Sequence, residues 1–248
     1  MKKILIMPSS IEQTNIKCDG VIIGIKGLSI NMPAYFEVKD LKQIKNKEIF
    51  VSLNKNMHNS DLDYLKDVLL ELNNYNIKGV LFYDLSIVNL KKKLSLNYDL
   101  VWAQEHFTTN YITSNFWYEQ GVKYTLISNN ITLDEVKEFI DNSKTKLMLT
   151  VFGYIPIFVS KRNLVKNYLK TFKLDNKSKI YYLKNEDNLY PIINENETVI
   201  YSSYILNSLR EIIDLEIDYI ILNSFKIDNF EEVVNLFKTV NKSNIDEY

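Results

Sequence analysis

The 248-residue chain has one cysteine, Cys18. No intrachain disulfide is possible, and no cysteine metal cluster can be assembled from it. Cys18 sits just before an apolar strand, where it reads as a small buried residue. Histidine is nearly as scarce: His58 and His106 are the two in the chain. Their spacing fits no ligand signature such as H-E-x-x-H, and no metal is expected. Net charge is almost nil, with 30 Lys+Arg against 31 Asp+Glu. That balance argues against a general attraction to nucleic acid or to an anionic membrane. No apolar run reaches the roughly 18 residues of a membrane span. The first apolar run, inside Met1–Pro8, is too short for a signal peptide and lacks a small-residue cleavage site. A soluble cytoplasmic protein is expected. A G-x-S-x-G elbow, a P-loop and a G-x-G-x-x-G turn are all missing, and no cofactor is expected.

Hydrophobic residues make up 46% of the chain. A chain of this size buries enough surface for one substantial core. Short, nearly continuous apolar runs recur at Lys3–Met7, Gly20–Gly24, Glu48–Ser52, Gly79–Tyr83, Asp99–Ala103, Lys123–Ile127, Lys146–Val151 and Tyr219–Asn223. Such runs mark parallel strands buried on both faces. Eight of them with intervening helices predict a (β/α)8 TIM-barrel-like single domain over residues 1–248.

Helices are legible between the strands. Asn59–Asp61 caps a stripe of Leu62, Leu65, Val68, Leu69 and Leu72. Thr132 and Glu135 fit a capping box ahead of Val136, Phe139 and Ile140. Phe230, Val233, Val234 and Phe237 stripe a last helix, with Asn229 or Asp228 as its cap. Two places depart from an ideal barrel. Pro8–Asp19 is too short for a crossover helix, so a turn or a single helical turn is expected. The turn-forming clusters Asn185–Asn188 and Asn194–Glu197 predict a small β-hairpin or meander inserted near 179–203. A crossover helix over Tyr204–Leu215 follows, and the polar tail 241–248 reads as frayed.

Several segments, taken in order, resemble the peptidase U32 (collagenase-like protease) family. They are Val51-Ser-Leu-Asn-Lys-Asn, Gly79-Val-Leu-Phe-Tyr-Asp84, Trp102-Ala-Gln-Glu-His-Phe-Thr-Thr-Asn110, Ile131-Thr-Leu-Asp-Glu135 and Phe152-Gly-Tyr-Ile-Pro156. The last leaves an apolar strand, turns at Gly153 and Pro156, and enters a helix beside Lys161 and Arg162. The resemblance spans about residues 4–240 and is nearest to short, single-barrel members. Many members of this family carry four cysteines that bind an iron–sulfur cluster. Here the first two positions look like Pro156 and Asn163, and the cysteine count excludes the cluster. The neutral charge and the missing cysteines thus weigh against the cluster-dependent hydroxylation of RNA and quinone precursors of that branch, and RNA modification stands as a third reading.

Barrels of this type hold their sites at the C-terminal ends of the strands. Asp84, Glu105 and His106 are the candidate acid–base residues there. Glu105 and His106 are adjacent, so on extended backbone they point to opposite sides. The plainer alternative is that all three satisfy backbone groups on a polar rim. Asn54, Asn110, Lys161 and Arg162 are candidate substrate-binding residues. Arg162 suits a carboxylate through paired hydrogen bonds. The family resemblance implies a peptidase or hydrolase acting at the barrel mouth on a peptide or small anionic substrate. The alternative is a non-catalytic partner of a larger U32-type protein or RNA-modifying enzyme. Exposed aromatics on the 179–203 insertion favour the second reading. A deep polar pocket with perturbed carboxylates or histidines favours the first.

Overall fold

A computed structural model describes residues 2–104, 106–175, 178–194 and 197–240. Glu105, the tail 241–248 and residues 195–196 of the second turn cluster lie outside them. The strands are β1 (Lys3–Met7), β2 (Gly20–Ile25), β3 (Tyr35–Phe36), β4 (Glu48–Leu53), β5 (Gly79–Phe82) and β6 (Asp99–Trp102). They continue with β7 (Tyr124–Leu126), β8 (Lys146–Ser160), β9 (Ile180–Asn185), β10 (Asn188–Asn194), β11 (Thr198–Asn207) and β12 (Tyr219–Asn223). The α-helices are α1 (Leu62–Leu72), α2 (Leu85–Leu94), α3 (Tyr111–Glu119), α4 (Leu133–Asn142), α5 (Leu164–Thr171) and α6 (Phe230–Thr239). Contacts divide the chain into two compact units, residues 1–152 with 208 onward, and residues 153–207.

The first unit is a closed parallel barrel. β1, β2, β4, β5, β6, β7 and the start of β8 pair in that order, and β12 bonds to both β1 and β8. Alternate residues face inward, so Leu5, Ile22, Phe50, Leu81, Val101, Tyr124, Met148, Tyr219 and Ile221 fill the interior. Phe50, Tyr124 and Tyr219 meet edge to face at 5.6–6.0 Å between ring centres. The residues between them, such as Ile6, Ile23, Val51 and Phe82, pack outward under the helices. Both faces are therefore apolar, which is why the strands read as near-continuous runs.

All eight expected barrel strands are present. The first connection is a single 3-10 turn, Glu12–Asn15. The Thr132–Glu135 capping box forms as expected. Asn229 does occupy the cap position of α6, but with left-handed backbone and no side-chain cap bond.

Two expectations fail in the second unit. The chain does not turn at Gly153 and Pro156. Gly153, at φ +117°, bends the strand, and β8 continues to Ser160. The excursion from the barrel thus begins at Gly153, well before residue 179. The helix expected over Tyr204–Leu215 is also absent. β11 runs through Tyr204 to Asn207, and only a 3-10 turn follows, at Glu211–Asp214. The run Val199-Ile-Tyr-Ser-Ser-Tyr-Ile is β-branched and aromatic, and its pairing with β10 and β8 satisfies the backbone as strand. Within this unit β9, β10 and β11 form an antiparallel meander, and α5 buries Leu169. No helix among the described residues is long and apolar enough to cross a membrane.

Candidate functional site

Two ends of the barrel do different work. At the N-terminal ends of the strands, Glu48 accepts a hydrogen bond from Lys3 Nζ at 2.7 Å and one from the Tyr219 hydroxyl at 3.0 Å. Burial pushes the Glu48 carboxyl up, but these two bonds, with the charges of Lys3 and Lys78, outweigh it and hold the carboxyl below its ordinary value. Burial, and then the Glu48 carboxylate, push the Tyr219 hydroxyl up. Lys123 pairs with Asp99 at 2.8 Å on the same rim. Cys18 is half-buried here. Burial raises its thiol even though Lys47 Nζ lies 3.2 Å from the sulfur. This end of such a barrel serves stability.

The C-terminal end is where the sequence places chemistry, and most of its polar side chains are engaged by backbone. Asp84 caps α2. One carboxylate oxygen accepts from Ser86 N–H at 2.9 Å, and the other from Met57 N–H at 3.0 Å. Asn54 is buried and pairs with both backbone groups of Ile30, at 2.8 and 2.9 Å, as a strand would. Asn110 caps α3 by accepting from Thr113 N–H at 2.9 Å. Asn129 donates to the Thr150 carbonyl at 2.7 Å. Ser29 ties the Ile25 amide, at 2.6 Å, to the Ser52 carbonyl. These bonds stitch the β2 loop onto the end of β4. His106 is exposed in the turn after β6, and Glu105 lies outside the described residues. Lys161 and Arg162 belong to the second unit, where both are exposed.

The floor of the mouth is apolar. Met32, from the loop after β2, joins the interior cluster together with Met7 and Tyr83. Its Cγ occupies the space where a side chain at Gly24 would begin, 2.6 Å from an ideal Cβ there. Two polar groups at this end were not singled out from sequence. Asn31, left-handed at φ +57°, and Ser224 are buried, and Asn31 Oδ1 and Ser224 Oγ have no hydrogen-bond partner among the described residues. The available signal was weak: a polar residue inside the apolar turn Leu28–Pro33, and a serine just past the last strand. Among the described residues no group of three His, Cys, Asp or Glu could hold a metal ion. On the 179–203 segment Tyr182, Leu183 and Leu189 are exposed, one aromatic and two aliphatic side chains.

Fold and site together define a parallel (β/α)8-type barrel protein whose mouth is stitched by Asx caps and floored by methionine. The model of peptidase family U32 matches residues 12–245, and the chain belongs to that family. It is 28% identical over 225 residues to tRNA hydroxylation protein P2 of Bacillus subtilis, covering 84% of this chain and 71% of that protein. It is 22% identical over 122 residues to tRNA hydroxylation protein P1 of the same organism, a match over 49% of this chain and 29% of P1. Among solved structures, the U32 peptidase Mk0906 superposes with a TM-score of 0.59 at 13% identity, covering 92% of this chain and 95% of that one. The last comparison supports the barrel fold alone.

Proposed function

We propose that this chain is a U32-type component of a tRNA-hydroxylating system, in which it supports a longer U32-type protein and does not itself act as a peptidase. One observation carries the reading: the strand-end polar residues Asp84, Asn54 and Asn110 are spent on backbone amides and carbonyls. A carboxylate whose two oxygens both accept from backbone amides reads as a structural cap. The two relatives named for tRNA hydroxylation come from one organism, which supports a division of labour between two U32-type proteins. The single cysteine fits the supporting role, since a four-cysteine cluster must come from elsewhere.

The test is deletion of the gene in its own host, followed by mass spectrometry of digested tRNA. A nucleoside carrying one extra oxygen should disappear, its unhydroxylated form should accumulate, and the wild-type gene should reverse both. An unchanged nucleoside profile, together with peptide hydrolysis by the purified chain, would return the hydrolase reading.

A further inference from the structure

The near-neutral charge of the whole chain averages two unlike units. Residues 153–207 hold eight Lys or Arg against five Asp or Glu, which leaves 22 against 26 in the barrel unit. The excess is concentrated further. Seven of residues 161–179 are Lys or Arg, and Asp175 is the one acid among them. The described members of this set, Lys161, Arg162, Lys166, Lys170, Lys173 and Lys179, are all exposed. Lys166 and Lys170 are one turn apart on α5, and Lys173 lies just past the helix end.

Aromatic surface lies beside these cations within the same unit. On another stripe of α5, Tyr168 is 57% and its neighbour Phe172 60% exposed, with ring centres 4.6 Å apart. Between α5 and the meander runs a groove of about 870 Å³, lined by Tyr168, Lys173, Tyr181, Tyr182, Leu183 and others. β9 contributes the far wall and is the terminal strand of its sheet. Cations that neutralise phosphates and aromatic faces that stack on unpaired bases are the two elements of single-strand recognition. An apolar protein partner would also fit the groove, but it gives no role to seven cations in nineteen residues.

We propose that the second unit is the RNA-contacting surface of this protein, with an unpaired nucleobase in the Tyr168–Tyr182 groove and its flanking phosphates against the described cations Lys166, Lys170 and Lys173 and their neighbours Lys161, Arg162 and Lys179. The choice of RNA over another polyanion rests on the functional reading above, and the binding itself is measured separately from hydroxylation.

The experiment is fluorescence anisotropy of the full chain with a labelled, unmodified tRNA transcript across a salt series. The charge-swapped variant Lys166→Glu, Lys170→Glu, Lys173→Glu is compared with a control carrying Lys45→Glu, Lys66→Glu and Lys92→Glu, three exposed lysines of the barrel unit. The α5 swap should weaken binding at least tenfold at low salt and flatten the plot of log affinity against log salt by about two, as three lost phosphate contacts require. The control should bind as wild type does. Tyr182→Ala should cost roughly tenfold with little change in the salt slope. Circular dichroism confirms that each variant is folded. Failure of the folded wild type to bind tRNA, or equal losses from both triple swaps, overturns the proposal. Binding untouched by Tyr168→Ala and Tyr182→Ala overturns the base-in-groove assignment. tRNA binding that follows this pattern, with nucleosides unchanged on gene deletion, would sink the hydroxylation reading and leave the RNA surface standing.

Discussion

Asp84 shows how little a residue's identity says about its use. Its carboxylate sits after a barrel strand, where a general acid or base is expected, yet both oxygens hold backbone amides. Asp84→Ala removes a helix cap and orphans Met57 N–H, so it should cost about 1–2 kcal/mol in urea unfolding. Asp84→Asn keeps an acceptor and should cost less than Asp84→Ala. Glu48 makes a pH prediction. Its carboxyl is held below the ordinary value in the fold, so its contribution is complete above the unfolded pKa. That contribution is lost as pH falls through the lower, folded pKa. Thermal unfolding from pH 7 down to pH 3 should therefore show a shallower acid decline in Glu48→Gln than in wild type. At neutral pH the variant should be less stable by about 1.5–3 kcal/mol, the range for a hydrogen bond to a charged group.

At the scale of elements, the β2 loop is held by side chains that imitate a strand. Asn54→Ala leaves the Ile30 amide and carbonyl unpaired at a part-buried site, and a loss of about 2–4 kcal/mol is expected. Hydrogen exchange at Ile30 should accelerate in that variant while β4 stays protected. The barrel strands were legible because burial on both faces leaves each as a continuous apolar run, such as Gly20–Ile25. β11 was not. Its Tyr204-Ile-Leu segment is as compatible with a helical stripe as with a strand, and it continues a strand that pairs with β10 at Thr198–Ile200, outside the local sequence. β8 reads short from sequence because Gly and Pro mark turns, but Gly153 and Pro156 sit within a strand that goes on to Ser160. The candidate site was legible as a set of positions and not as a set of roles. An Asx cap and a catalytic carboxylate look alike in sequence, because both are polar residues placed just after a strand. Asn31 and Ser224 escaped notice because burial, not residue type, makes them unusual.

The whole molecule joins a barrel that supports itself with its polar rim to a cationic, aromatic second unit. It belongs to peptidase family U32 by the match over residues 12–245, and two of its relatives are named for tRNA hydroxylation. The central claim is that the barrel supports hydroxylation without contributing an acid or base. The direct measurement is the level of hydroxylated tRNA nucleoside in the deletion strain carrying a triple variant, Asp84→Asn, Glu105→Gln and His106→Ala, expressed at the wild-type level. Restoration close to wild type is expected. Full loss of hydroxylation, with the variant folded and abundant, would contradict the claim and place chemistry in this barrel mouth.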